Sequence, residues 1–215
     1  TFWEGGPSTK RPNYMGGNIP EKGQNGTVFR RIQQLFAENK TAEAVSLSEK
    51  MLLGEHDSKG SYIEFGEIHL DFDIDETQTT NYVRYLHLDQ SVSYVHYEYQ
   101  GALLTREYFI SYPDNVFVIR VNSTKGAKIP KFTVTYDTNA KSTKTVTAKD
   151  NSIILNGQLE DNQLNFASKM TITAKDAKIE ADESGKIVVS DAVESVCIFV
   201  SAATDYKLEY PKYRT

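Results

Sequence analysis

From about residue 60 onward, apolar residues recur at every second position of this chain. Ile68, Leu70, Phe72 and Ile74 alternate with His69, Asp71, Asp73 and Asp75. A period of two places one set of side chains on one face of an extended backbone and the other set on the opposite face. One face can then enter a core while the other meets water. Tyr82–Leu88, Val92–Tyr99, Leu103–Ser111, Asn115–Asn122, Lys131–Asp137 and Thr143–Ala148 read as further strands. So do Ser152–Gln158, Leu164–Ala174, Lys178–Asp182, Lys186–Ser190 and Val193–Ala202. Turn-forming residues separate them: Tyr99-Gln-Gly101, Tyr112-Pro-Asp-Asn115, Asn139, Lys149-Asp-Asn151, Glu160-Asp-Asn162 and Glu183-Ser-Gly185. Many short strands with no helices between them predict a mainly β fold, an antiparallel two-sheet sandwich and not a parallel α/β sheet. About a dozen strands suit two large packed sheets better than a small closed barrel.

The first quarter of the chain reads differently. Residues 1–27 are rich in Gly, Pro, Asn and Ser and show no period, so they read as loop. Val28, Phe29, Ile32, Leu35 and Phe36 recur at helical spacing. The pattern breaks at Glu38-Asn39-Lys40, Thr41 suits an N-cap, and Ala44, Leu47 and Met51 mark a second apolar stripe. Gly54 suits the position just past its end. The expectation is a short helical hairpin over 28–54, strands over 60–202, and a terminal segment, 203–215, that begins a connection to another domain. Beyond Arg30-Arg31 the hairpin has no basic face, so it reads as a cap on the sandwich and not as a DNA reader.

At 215 residues the chain can bury a core without covalent staples. Its single cysteine, Cys197, has no partner for an internal disulfide and sits in an apolar strand pattern, where a small buried hydrophobe is expected. Net charge is −5, from 24 basic and 29 acidic residues, and no basic tract stands out. That argues against nucleic acid as a partner. No apolar run approaches the ~20 residues of a membrane helix, so no membrane partner is expected. The compartment stays open between secretion, the cell surface and the cytoplasm.

Motifs that would carry chemistry are sparse. Asp71, Asp73 and Asp75 suggest a calcium loop, but Glu76 stands where the EF-hand needs Gly and Tyr82 where it needs Glu. Strand alternation explains the aspartates as one solvated face. His56, His69, His87 and His96 include no pair at i,i+2 or i,i+4. There is no Gly-x-Ser-x-Gly elbow and no Walker loop, and Met15-Gly-Gly-Asn18 does not join a strand to a helix. No metal and no cofactor is expected. Glu64, Glu67, Glu98, Glu107, Asp114 and Asp205 could supply the two carboxyl groups of a glycosidase, but nothing singles out a pair. Asn25, Asn39 and Asn122 begin Asn-x-Ser/Thr triplets, which matter only if the source glycosylates secreted proteins.

Both ends are aromatic. The chain opens Thr1-Phe-Trp-Glu-Gly-Gly-Pro-Ser8, and its last residues carry Tyr206, Tyr210, Tyr213 and Arg214. Tyrosine combines apolar area with one polar tip, which favours half-covered surfaces. The expectation is that both ends are cut, and that the closing segment leads into or packs on a further domain.

Several stretches together resemble glycoside hydrolase family 95, the α-L-fucosidases. Thr1-Phe-Trp-Glu-Gly-Gly-Pro-Ser8 is similar to that family's T-L-W-S-G-G-P segment. Ile32 to Ala44 is similar to its I-R-x-L-hydrophobic-x-E-G-K-Y-x-E-A hairpin. Phe65-Gly-Glu-Ile-His-Leu-Asp-Phe72 is similar to L-G-D-L-x-L-x-F, and Tyr82-Val-Arg-Tyr-Leu-His-Leu-Asp89 to Y-x-R-x-L-D-L-D. Thr105-Arg-Glu-Tyr-Phe-Ile-Ser-Tyr-Pro-Asp114 is similar to T-R-E-x-F-x-S-x-P-D, and Thr204-Asp-Tyr206 with Tyr210-Pro-Lys-Tyr-Arg214 to the domain's end. Phe2, Glu4, Phe65 and His87 depart from the usual residues, at structural positions. The resemblance implies the N-terminal β-supersandwich of a bacterial enzyme that removes terminal fucose, typically α-1,2-linked, by inversion. It places the catalytic groups in a C-terminal (α/α)6 barrel outside these residues. This chain would then hold no catalytic residue and be inactive alone.

Its partner would be that barrel, and the glycan would be the full enzyme's substrate. Trp3, Tyr206, Tyr210, Tyr213 and Arg214 are the candidate interdomain contacts. The resemblance also implies that early family strands precede Trp3, which would leave an open sheet edge through which two copies could associate. The alternatives are a stand-alone carbohydrate-binding module, with Tyr94, Tyr97 and Tyr99 as a sugar-stacking platform, and a purely structural β domain.

Overall fold

A computed structural model describes residues 2–4, 24–52, 61–124, 126–138, 142–160 and 163–209. The chain forms two compact units, Thr1–Phe65 with Glu160–Gln163, and Gly66–Leu159 with Leu164–Thr215.

In the first unit, strand β1 (Phe2–Glu4) leads to helices α1 (Thr27–Ala37) and α2 (Thr41–Met51) and then to β2 (Ser61–Ile63). Val28, Ile32 and Leu35 fall on one face of α1 and are buried with Ala44 of α2, while Leu47 and Met51 pack against them. This is the stripe that the helical spacing predicts. The corner is made by Asn39 at φ 57°, a left-handed conformation that asparagine tolerates better than most residues. Lys40, not Thr41, holds the N-cap position, because the chain leaves that corner already turned and its carbonyl accepts from the Ala44 amide at 3.0 Å. Gly54 lies outside the described residues. Strand β1 corrects the reading of residues 1–27 as loop: Phe2, Trp3 and Glu4 pair antiparallel with Ile63, Tyr62 and Ser61. Three residues are too few to display a period.

Among its described residues the second unit holds twelve strands. They are β3 (Glu67–Phe72), β4 (Thr79–His87), β5 (Val92–Tyr99), β6 (Ala102–Ser111), β7 (Val116–Ser123) and β8 (Phe132–Asp137). The rest are β9 (Ser142–Lys149), β10 (Ser152–Leu159), β11 (Asn165–Ala174), β12 (Lys178–Ala181), β13 (Ile187–Ser190) and β14 (Ser195–Thr204). An eight-stranded sheet runs β4-β5-β6-β7-β14-β11-β10-β9 and a four-stranded sheet runs β12-β13-β8-β3. Every pairing is antiparallel. The predicted sandwich is therefore the observed fold.

The core lies between the sheets. Ile153, Leu155, Met170, Ile172, Val196 and Ile198 face it from the large sheet, and Phe132, Val134, Ile187 and Val189 from the small one. Tyr136 of β8 and Ser168 of β11 are both buried and face each other across the two layers. Gln100 and Gly101, both at positive φ, close β5 onto β6 with Tyr99 paired to Ala102, the geometry of a type I′ turn.

The large sheet extends past the small one. Phe72, at the end of β3, approaches Arg106 of β6, and Ile74 just beyond it packs against Val95, Tyr97 and Leu104. Farther out, β4 is exposed along all but its first residue. A register shift between Thr80 and Val83, with Asn81 at φ 53°, marks a bulge near its start. Among the described residues no helix is long and apolar enough to cross a membrane.

Candidate functional site

Strands β4 to β6 bring together the chemistry-bearing side chains of the sandwich, and register decides which face each one takes. Val95, Tyr97 and Leu104 are buried on the inner face, so Arg106, paired with Val95, points to that face as well. Its guanidinium carbon lies 5.5 Å from the centre of the Phe72 ring and 5.8 Å from that of Tyr97. Both distances are in the range of cation–π attraction. Tyr108 lies one inward position along β6 from Arg106, close enough to feel its charge. The Nε of Arg106 is buried and has no hydrogen-bond partner among the described residues. Tyr82 of β4 stacks on Tyr97 with ring centres 6.5 Å apart. Arg84 pairs with Val95 from the other side. Arg84 and Arg106 therefore flank Val95 on one face, about 10 Å apart at two interstrand steps.

Burial raises the Tyr97 and Tyr108 hydroxyls above the usual tyrosine range, and the neighbouring Arg106 charge pulls the other way. Burial dominates because a phenolate in this wall would lose its hydration.

The outer face of the same strands carries a second cluster. The Tyr85 and Tyr94 rings stack at 5.1 Å and 17°, and His87 and His96 meet Tyr85 edge-on at 5.1 and 5.4 Å. One strand over, Glu107 pairs with Arg120 at 2.6 Å. The tyrosine rings are engaged with one another, which leaves an edge-rich surface and not a flat platform.

The sugar platform expected from Tyr94, Tyr97 and Tyr99 does not form. Tyr94 faces outward, whereas Tyr97 is buried on the inner face and Tyr99 packs beside it. Positions separated by an odd number fall on opposite faces of a strand. The candidate carboxylates are dispersed. Asp114 accepts from Ser111 Oγ at 2.6 Å, Asp205 accepts from the amide and side-chain nitrogens of Asn165, and Glu67 sits 3.3 Å from His69. Glu98 lies on the outer face, in phase with Tyr94 and His96 and paired with Leu103. Asp75 caps a turn at Glu76–Gln78 and accepts from the Thr77 amide, while Asp71 lies in β3. No group of metal-ligating residues forms among the described residues. Cys197 is half-buried and pairs in register with Arg120 on the outer face, which corrects its reading as a core hydrophobe.

Of the expected interdomain contacts, Tyr206 is exposed, and its amide reaches Thr204 Oγ1 at 3.4 Å. Trp3 lies in β1, backbone-paired with Tyr62. Tyr210, Tyr213 and Arg214 lie outside the described residues. Sequence reasoning missed Arg84 and Arg106 as a pair. Their signal was an arginine in the inward phase of two strands, level with Tyr82 and Leu86 in one and Leu104 and Tyr108 in the other.

Residues 1–209 match the family described as glycosyl hydrolase family 65, N-terminal domain, and the chain belongs to that family. The class is thus a glycoside hydrolase N-terminal domain. The chain is 29% identical to the "Probable alpha-fucosidase A" of Aspergillus niger, over 96% of this chain and 25% of that protein. It is 27% identical to "Alpha-L-fucosidase 2" of Arabidopsis thaliana, over 81% of this chain and 19% of that protein. The chain spans about a quarter of the first relative and about a fifth of the second. A solved structure described in the words "kojibiose phosphorylase from human microbiome" aligns with 65% of this chain and 22% of its own, at 13% identity and a TM-score of 0.47.

Proposed function

We propose that this chain is the non-catalytic N-terminal domain of a bacterial α-L-fucosidase of glycoside hydrolase family 95. The complete enzyme would release terminal fucose from glycans, with α-1,2-linked fucose as the typical substrate. Inversion needs an acid on the leaving oxygen and a base that activates water on the opposite face, and both would come from the following barrel. The sandwich would support that barrel. The observation that carries this reading is the pair of fucosidase relatives, one of them matched over 96% of this chain. The dispersal of the carboxylates in the sandwich agrees with it.

The test is to express the complete open reading frame and this 215-residue chain side by side with 2′-fucosyllactose. The complete protein should release fucose, first as the β-anomer by NMR, and the chain alone should release none. Absence of fucose release by the complete protein, activity in the chain alone, or a reading frame that stops after Thr215 would overturn the reading.

A further inference from the structure

We propose that the inner face of the overhanging strands β4 to β6, centred on Arg84 and Arg106, is a docking surface for an apolar, carboxylate-bearing segment of the rest of the polypeptide. The inference rests on the reading of the chain as one domain of a longer enzyme, and it names the face and the chemistry of the contact.

Charge is the first argument. In a chain of net charge −5, this face presents two arginines. No carboxylate among the described residues forms an ion pair with either. Arg106 is held between Phe72 and Tyr97 with its Nε buried and without an acceptor. Ring contacts offset part of the desolvation of a guanidinium, but a buried guanidinium nitrogen ordinarily finds an acceptor. A carboxylate arriving over Tyr82 would meet guanidinium donors from two strands.

Apolar exposure is the second. Tyr82 is 59% exposed, Leu86 58% and Ile110 71%, all in the inward phase. Tyrosine and arginine amid apolar side chains is the composition of an interface centre. The two edges of the large sheet also differ. Edge strand β9 is Ser-Thr-Lys-Thr-Val-Thr-Ala-Lys, whereas β4 is Thr-Thr-Asn-Tyr-Val-Arg-Tyr-Leu-His with no lysine. Lysine-bearing, polar edges resist adventitious pairing, and an apolar edge is normally covered.

The occupant follows from these points. A second copy would bring Arg84 and Arg106 against the same two arginines, which like-charge repulsion opposes. Three quarters or more of each matched fucosidase lies outside the aligned region, so a covalently linked partner is at hand in proteins of this kind.

Hydrogen exchange on this chain and on the complete polypeptide tests the proposal. The amides of Tyr82–Leu88 should exchange roughly tenfold or more slowly in the complete polypeptide. Arg84→Met should abolish that protection, Arg84→Lys should retain most of it, and Lys169→Met on the outer face should leave it intact. Arg84 is exposed, so the melting temperature of the chain alone should not change with these variants. Equal exchange in both proteins would overturn the proposal. So would full protection in Arg84→Met, or sedimentation showing a dimer of the chain alone with β4 protected. Fucose release is scored separately. Protection without activity keeps the docking surface and removes the fucosidase reading, and activity without protection does the reverse.

Discussion

Gly157 of β10 lies opposite Phe166 of β11, and the phenylalanine ring occupies the space that a Cβ at position 157 would need. An added Cβ would come within 2.3 Å of the ring's Cζ and 2.8 Å of the Thr143 carbonyl oxygen. Phe166 is itself buried in the sandwich, so the ring has little room to move. Gly157→Ala should therefore cost about 1–3 kcal/mol in urea unfolding, the usual range for overpacking. Phe166→Leu shortens the obstructing ring, so the double variant should lose less than the sum of the two single losses. Additive losses would show that the two residues are not coupled in this way.

Glu107 and Arg120 make the closest ion pair of the outer face, at 2.6 Å, and their side chains are 16% and 47% exposed. The asymmetry fixes the expected outcome. Arg120→Met leaves a largely covered carboxylate without its partner and should destabilise by about 1–3 kcal/mol. Glu107→Gln leaves the exposed arginine free to reach water and should cost less. The measurement is chemical denaturation of both variants at neutral pH. Equal losses, or a larger loss for Glu107→Gln, would refute the argument.

Much of the sandwich was legible because each strand has one buried face. From β5 to β14 the observed bounds lie within about two residues of those expected from alternation. The start of β4 was not legible: the strand begins at Thr79, three residues before the expected Tyr82, and the bulge at Asn81 interrupts the period between them. Strand β1 was too short to register, and the corner at Asn39 displaced the cap from Thr41 to Lys40. Face assignment was legible in principle, since Tyr94 and Tyr97 differ by an odd number. The site was less legible, because strand order brings β4, β5 and β6 together and alternation within one strand does not reveal its neighbours. Arg84 and Arg106 belong to two separate motifs, and only the shared partner Val95 shows that they share a surface.

Asp137 ends β8, and Lys144 of β9 reaches its carboxylate and also donates to the Thr138 carbonyl at 2.5 Å. The hydrogen bond from Lys144 is the main reason that the Asp137 carboxyl lies below the usual aspartate range, with the Thr138 amide adding to it. A depressed carboxyl contributes stability above its unfolded pKa and loses it as pH falls through the folded value. Urea midpoints of the chain should thus decline below about pH 4, and Asp137→Asn should decline less steeply over that interval. Identical slopes would show that this pair has no part in the acid response. The Asp137 side chain is largely exposed, so the effect should be modest and should shrink in high salt.

The alkaline limit has the opposite sign. Burial raises the hydroxyls of Tyr97, Tyr108 and Tyr136 above the usual tyrosine range, and for Tyr136 the nearby Ser168 pulls weakly the other way. In the unfolded chain these groups ionise near pH 10, while the folded protein still holds their protons. Their contribution to stability is fully present below that pH and is lost as pH rises through the folded values. Stability should therefore be level from pH 7 to about pH 9 and fall beyond pH 10, as phenolates form more readily in the unfolded state. Tyr136→Phe removes one such group. It should change stability at neutral pH little and flatten the alkaline decline. The check is a set of urea midpoints at stepped pH for both proteins, with tyrosine absorbance following ionisation. If the variant lost stability as steeply as the parent above pH 10, the buried Tyr136 hydroxyl would not be a source of the alkaline instability.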